Sequence, residues 1–502
     1  MTSKAEKVLT RGVYILFGCV LLLCAVLCLF QNVRMQDIYP LNVSPLWLIF
    51  GMAAWGAALF GVYCLTRRFD NFLKKHAAPI FILALLLFFA LCFACAKAMA
   101  MALLYDARYL FDGAASLAQT VSFGENEWYF YRYQNNFAPA VYLSLFFRLG
   151  AIFGLYAQTA GQLLCAFGTT AVVFFICKIS HMLCGAKAAC MSLALCFATL
   201  PMYFFCAVPY TDTLSLPYAV GCMYFYLKAK RAQTLKFRCL HMLFAGVMIA
   251  VGAAVKPTVY IAAIAVSIDL AMDFLRKISF KKMLLPLLFA VAVCVALPLL
   301  QNAYVYGGSL LDEQQAQNEH IPFTHWIMLG LTSNGAYNDE DQEFTINQPS
   351  PEVRSAAINA EISRRIAEKS PLDWLIWAKT KLLTITGDGT YFVSTQLDDE
   401  VLYPNALHGI VLLERPHYAL FYHFCTSLYL LCLLAAAVHA LLDKSASLLP
   451  LRLALLGIIA FLMMWEVSGR YMYNFSPLLI ICAACGMSKI LYCCKFRHNV
   501  AK

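Results

Sequence analysis

The chain has 502 residues, 62% of them hydrophobic and 13% charged, with a net charge of +10 and a mean hydropathy of +0.69. That composition excludes an ordinary soluble globular protein, in which about 25% of residues are charged. The surplus Lys and Arg sit in short loops beside apolar runs, which reads as membrane topology and argues against nucleic acid as a partner.

Apolar runs of about 20 residues, enough to cross a bilayer, recur along the whole chain. The first, 13–30, follows Lys4, Lys7 and Arg11 like a signal peptide, but its far end at Gln31-Asn32-Val33 lacks a small-residue cleavage pattern. It is expected to be a retained helix. A second run, 46–66, leads to Arg67, Arg68, Lys74 and Lys75, which puts that loop and the N-terminus in the cytoplasm. A third, 79–104, then climbs outward and delivers Asp106 to the outer boundary. Lys178 with Lys187, the basic stretches 228–238 and 276–282, and Lys495 with Arg497 are cytoplasmic by the same rule.

The apolar segment 137–156 does not fit, because a crossing there would put every later basic loop outside. It has Pro139 near its start and Arg148 inside, and it reads as an interfacial or re-entrant helix. Further spans fall near 158–178, 188–208, 212–228, 240–255, 257–275, 284–304, 412–441, 449–465 and 471–491. The expectation is an all-α polytopic membrane protein of about twelve transmembrane helices with both termini cytoplasmic. It divides into an N-terminal hairpin with its basic loop (1–78), a core with the first outer loop 105–157 (79–302), an extracytoplasmic subdomain (303–411), and C-terminal helices with a basic tail (412–502).

Segment 303–411 is acidic, with Asp312, Glu313, Glu319, Asp339, Glu340, Asp341, Asp398, Asp399 and Glu400 among its residues. Ser350-Pro351-Glu352 reads as a helix start, followed by Ile358, Ile362 and Ile366 at helical spacing. Ser370-Pro371-Leu372-Asp373 repeats the signal and opens a helix bearing Trp374 and Trp377, residues suited to a membrane surface. The 21 cysteines lie almost wholly in apolar runs, with none in 105–137 or 303–411. They read as small apolar fillers, not a disulfide framework; Cys493-Cys494 reads first as a chance pair, with acylation beside the last helix as the alternative.

On this topology several ionisable groups gather at the outer face: Asp106, Tyr210 with Asp212, Lys256, Glu466, Arg470 with Tyr471, and Lys97 below Asp106. Sugar transfer from a lipid-linked phosphate needs such a set. A carboxylate, Asp106, takes the acceptor's proton, while cations, from Lys256, Arg470 and Lys97, meet the charge on the departing phosphate. Tyr131, Arg132, Asn135 and Asn136 offer hydrogen bonds to order the outer loop or line a sugar site. Plainer roles stay open: Asp106 and Asp212 as helix caps, Glu466 with Arg470 as an i,i+4 ion pair, Lys256-Pro257 as a helix end, Lys97 as a snorkelling lysine.

The stretch Tyr105-Asp106-Ala107 to Ala114-Ala115, with Tyr131-Arg132-Tyr133-Gln134-Asn135-Asn136, resembles the first outer loop of GT-C membrane glycosyltransferases related to protein O-mannosyltransferases and the aminoarabinose transferase. Tyr210-Thr211-Asp212, Lys256-Pro257-Thr258 and the segment from Glu466 to Arg470-Tyr471 are similar to motifs of bacterial members acting on cell-envelope polymers. The resemblance implies a GT-C-like bundle with a helical or mixed outer subdomain in a bacterial cytoplasmic membrane, its active site outside. It also implies an inverting transfer from a polyprenyl-phosphate sugar to an envelope polymer, lipid or protein. No tightly bound metal or other cofactor is implied, and a divalent ion stays open. Many relatives have Asp-Glu where this chain has Asp106-Ala107, which leaves Asp112 and Asp212 as candidates for a second acid.

Three other classes compete. A twelve-helix transporter or flippase would place ionisable groups near the midplane of paired repeats, whereas these spans are nearly free of mid-membrane charge and show no repeat. A ligase or polymerase using an undecaprenyl-diphosphate donor shares the same membrane chemistry. A non-catalytic assembly protein would not need the outer constellation.

Overall fold

The computed structural model describes residues 2–30, 34–35, 39–40, 43–275, 281–308, 310–397, 401–443 and 445–500. The expectations resting on Gln31-Asn32-Val33, on 276–280 and on Asp398, Asp399 and Glu400 lie outside these residues, as do the side chains of Lys281, Lys282, Cys493, Cys494, Lys495 and Arg497.

Helices dominate because an apolar segment in hydrocarbon must satisfy its backbone hydrogen bonds internally. Among the described residues, eight helices are long and apolar enough to cross a bilayer: Glu6–Phe30, Pro45–Arg68, Ala77–Ala98, Ala157–Cys184, Leu235–Val255, Met283–Val305, Tyr418–Leu442 and Gly469–Leu491. A ninth is added if Ala186–Ala198 and Pro201–Ala207, bent by 62°, form one span. Pro201 accounts for that bend, since it has no amide hydrogen to continue the helix. The other expected spans exist as the helices Thr211–Arg231, Tyr260–Leu275 and Leu449–Met464. Eight or nine of the twelve expected spans thus have the length and apolarity of a crossing by themselves among the described residues.

One helix shows the polarity of the bundle. Thr211–Arg231 has Asp212 in its first turn and Lys230 in its last, about 27 Å apart at 1.5 Å per residue. At the Lys230 end, Lys230 pairs with Asp269 and Asp273 at 2.7 Å each. Tyr14 and Met272 pack together there, and the buried Arg452 meets Asp443 at 3.3 Å. Asp106, Lys256, Glu466 and Arg470 gather at the Asp212 end. Helices approach closely where side chains are small. A Cβ on Gly246 would lie 2.6 Å from the Ala290 Cα, so two helices touch backbone to backbone.

The third span is shorter than expected. Its helix stops at Ala98, and the chain then runs extended, with Met101 bridged to Val401 and Ala100 O accepting from Leu402 N at 3.1 Å. A new helix, Tyr105–Thr120, begins with Tyr105 in the left-handed region at φ 49°. Asp106 therefore lies in the first turn of a separate helix, not at the end of the span. Segment 137–156 forms one helix, Phe137–Ile152. Its Arg148 donates to Leu117 O at 2.7 Å and Ala118 O at 3.2 Å, closing the end of the Tyr105–Thr120 helix.

Segment 303–411 folds around its predicted caps. Ser350 Oγ accepts from Val353 N at 3.3 Å and starts Pro351–Glu368. Ser370 and Asp373 form a reciprocal capping box that starts Pro371–Thr386. Leu372, Leu375 and Ile376 of that helix are exposed. Ser370→Ala removes the cap oxygen and should cost about 1 kcal/mol, seen as faster amide exchange in the first turn of Pro371–Thr386 and a lower thermal midpoint.

Candidate functional site

Asp106 is held by two phenols. Tyr129 donates to Asp106 Oδ1 at 3.0 Å and Tyr210 to Oδ2 at 3.4 Å. Asn136 Nδ2 donates in turn to the Tyr129 oxygen at 2.6 Å. Burial, then the Asp106 charge, pushes both phenols well above their usual range, so both stay protonated and can donate. Leu104, not Asp106, occupies the cap position. The aspartate's side chain is thus free of capping, partly exposed, and aimed into the cluster.

Two cations lie beyond Tyr210. Lys256 ends the Leu235–Val255 helix in an extended conformation and forms an ion pair with buried Asp212. Arg470 Nε is 3.7 Å from the other Asp212 oxygen, and Arg470 Nη1 donates to Gln396 Oε1. The Arg470 guanidinium lies 5.5 Å from both the Tyr210 and Tyr471 rings, and Lys256 Nζ is 4.8 Å from the Tyr471 ring. Tyr471 donates to Glu466 Oε2 at 2.7 Å. Burial lowers the Lys256 ammonium's affinity for its proton in spite of Asp212. It also raises the Glu466 carboxyl, opposed by Tyr471 and Arg470.

The plainer roles fare differently. Asp212 is not a cap, since its helix starts at Thr211 with Tyr210 in the cap position. Glu466 and Arg470 do not share a helix: Leu449–Met464 ends before Glu466, and a 3-10 helix starts at Gly469. Lys256 does end a helix, and carries its ion pair as well.

Segment 303–411 braces both sides of this cluster. Glu466 N donates to Trp326 O at 2.9 Å and Val467 N to Gly335 O at 2.8 Å. Buried Lys381 donates to Gly330 O at 3.0 Å and Trp465 O at 2.6 Å. Gln342 donates to Tyr133 at 2.8 Å, and the Tyr133 ring packs 4.9 Å from that of Tyr129.

His325, fully buried beside Trp326, is pushed down to about 4 from its ordinary 6.5, chiefly by burial. The unfolded chain binds a proton that the folded one refuses, so this stability is complete above about pH 6.5 and is lost as pH falls towards 4. The loss should reach roughly 3 kcal/mol. Asp341 is held below the carboxylate range by Arg365 and Asn338 against the opposing effect of burial, and it adds its loss at lower pH. Amide exchange over 323–346 between pH 7 and 4 should accelerate, and His325→Gln should flatten that dependence.

Other sequence candidates sit apart from the cluster. Asp112 faces outward in an exposed pair with Arg108 at 3.6 Å. Lys97 donates to Thr159 at 3.2 Å. Tyr131 ties Glu127, at 2.8 Å, to Asp312 N, at 3.2 Å. Arg132 lies 5.2 Å from the Trp128 ring, and Asn135 donates to Asn136 at 3.3 Å. His320 and His325 diverge, the first half-buried against Gln317 O and the second buried against Thr345. Among the described residues no group of three or more His, Cys, Asp or Glu side chains gathers around a metal-sized space.

Sequence reasoning missed Tyr129, Gln396 and Lys381. Tyr129 had a signal, its place in the aromatic run beside Tyr131. Gln396 and Lys381 act through partners 74 and 84 residues away, and nothing local announces them.

Among solved structures, an archaeal oligosaccharyltransferase from Archaeoglobus fulgidus, in complex with an inhibitory peptide and a dolichol-phosphate, is similar at 13% identity and a TM-score of 0.46. The match covers 85% of this chain and 52% of that one, so the chain spans about half the archaeal enzyme's length. ArnT from Cupriavidus metallidurans is similar at 13% identity and a TM-score of 0.34 when bound to undecaprenyl phosphate, over 83% of this chain and 78% of that one. Its apo form gives 12% and 0.33, over 82% and 77%. Comparison with curated proteins found no match. Residues 2–490 match the family described as conserved hypothetical integral membrane protein, and with nearly the whole chain inside that match, the protein belongs to this family.

Proposed function

We propose that the protein is a membrane glycosyltransferase that moves a sugar from a polyprenyl-phosphate donor to an acceptor hydroxyl of the bacterial cell envelope, at the outer face and with inversion. The observation that carries this reading is a single linked cluster. It places one partly exposed carboxylate, steadied by two phenols, beside two largely enclosed cations that share one counter-ion.

The acceptor hydroxyl approaches from the accessible side of Asp106. Its proton passes to Asp106 as its oxygen bonds the anomeric carbon and the bond from that carbon to the phosphate oxygen breaks. The electron pair leaves with the phosphate, whose new charge is met by Arg470 and Lys256. Arg470 suits a two-point grip on phosphate, and Lys256 acts as a point charge. Asp212 holds both cations in place until an anion arrives to share them. Tyr210, which touches Asp106 and packs against Arg470, joins the base to the cation pair.

The test is direct. Purified protein in nanodiscs is given labelled polyprenyl-phosphate hexose or pentose with envelope fractions. The expected products are labelled envelope material and free polyprenyl phosphate. Solute movement in proteoliposomes with no transfer to any acceptor would favour a transporter and end this reading.

A further inference from the structure

The cluster opens at two places, at the cations, where the Lys256 and Arg470 side chains are 11% and 16% exposed, and at Asp106. Asp212 and Glu466 are 2% and 5% exposed and Lys256 is largely enclosed by Asp212 and Tyr471, whereas Asp106 keeps part of its carboxylate open. A row of aromatic rings leads up to the opening at Asp106. Tyr109, three residues after Asp106, stacks on Tyr129 with centroids 5.1 Å apart. Trp128 meets Tyr109 edge-on at 5.2 Å and is 40% exposed. Tyr133 packs against Tyr129 at 4.9 Å. Tyr337, 47% exposed, precedes and bonds Asp339 at the start of the helix Asp339–Ile346, whose Gln342 donates to the Tyr133 hydroxyl.

The chemistry of this row is mixed. Ring faces alternate with hydrogen-bonding groups: the Tyr133 hydroxyl with Gln342, the Tyr337 hydroxyl with Asp339 at 3.0 Å, and exposed Asn135. Of the two cations at the row, Arg108 pairs with Asp112, and Arg132 lies 5.2 Å from the Trp128 ring centroid. An anionic acceptor would bring its charge beside the carboxylates of Asp106, Asp112 and Asp339. An acyl chain would seek a continuous apolar wall, which the hydroxyls and amides interrupt. A sugar ring matches both features, because its C–H face packs on the negative π-face of an aromatic ring while its hydroxyl edge takes hydrogen bonds.

Resting on the transferase reading, we propose that Trp128, Tyr109, Tyr133 and Tyr337 form the acceptor subsite and that the acceptor is an uncharged glycan. Its terminal sugar stacks in the row with one hydroxyl at Asp106, and the donor phosphate lies on the far side, at Arg470 and Lys256.

The full chain in nanodiscs is titrated, without donor, with maltohexaose, mannohexaose and a galactose hexamer, and with hexagalacturonate and a Ser/Thr-rich hexapeptide as comparators. At least one neutral hexamer should bind more tightly than both comparators. Trp128→Ala should weaken that binding about tenfold, while Trp128→Phe, which keeps a ring, should hold within about threefold. Trp128→Phe also controls for folding. Equal binding by wild type and Trp128→Ala, or tighter binding of hexagalacturonate or peptide, would overturn the assignment. If wild type binds and consumes labelled donor but no neutral hexamer, the acceptor subsite falls and the transferase reading stands. If the hexamers bind with the stated Trp128 dependence and donor is never consumed, the transferase reading falls alone.

Discussion

Asp106→Asn is expected to lower kcat for sugar transfer by about two to four orders of magnitude, the usual contribution of a positioned general base, with donor affinity close to wild type. The substitution suits the question because asparagine keeps the shape of the side chain. Its carbonyl oxygen can still accept from Tyr129, and its amide can donate to the Tyr210 oxygen, so the two partners of Asp106 remain satisfied. Only the proton acceptor is lost. Single-turnover transfer and donor binding measured on the same preparation separate the two effects. Unchanged transfer by Asp106→Asn would remove Asp106 as base. Tyr129→Phe should have a smaller effect, about tenfold, because it frees one carboxylate oxygen and leaves Asn136 without its acceptor. That variant should also shift the acid limb of the kcat profile, which a purely structural role would not do.

The parts of this arrangement that could be read in the sequence are those set by local rules. Ser350 and Ser370 announce helix starts because a hydroxyl before a proline-led turn satisfies orphan amides, and both serines do so in the structure. The gathering of Tyr210, Asp212, Lys256 and Arg470 at one end follows from loops that the positive-charge rule places on one side. Asp106 was harder to place. Its helix is separated from the preceding span by an extended stretch that pairs with Val401 and Leu402, about 300 residues on, and no local pattern records that pairing. The sequence left Asp112 as a stand-in for a missing neighbouring acid. It instead takes the partner four residues away, Arg108, because that contact needs nothing beyond helix geometry. Gln396, which holds Arg470, comes from a 3-10 turn just after Tyr391 and Phe392, both at φ 53°, a strained path that single-residue propensities do not foretell. Spans were easier to find than to count. Thr211–Arg231 starts and ends in charge because it spans the distance between two ionic clusters, which makes it look too polar for a crossing.

The second large effect concerns the ion pair of the largely enclosed Lys256 with buried Asp212. Lys256→Met should destabilise the protein by about 3–5 kcal/mol, the cost of leaving a buried charge without its partner, because Asp212 then keeps only the longer contact with Arg470 at 3.7 Å. Asp212→Asn leaves two enclosed cations with no carboxylate between them and should cost a similar amount. The double variant removes one charge of each sign, so its cost should fall short of the sum of the single costs by about 2 kcal/mol or more, the signature of a direct interaction. Thermal unfolding in one detergent checks all four proteins, and additive costs would mean that the contact contributes little to stability. Donor binding should move differently. If the phosphate takes the place of Asp212 between Lys256 and Arg470, then Asp212→Asn should bind polyprenyl phosphate more tightly than wild type, and Lys256→Met more weakly. Weaker binding by both would instead make Asp212 a positioning residue that the donor needs in place. The opposed signs of stability and affinity in Asp212→Asn are therefore the decisive measurement: a cluster built only to hold helices together would lose stability and gain no affinity for an anion.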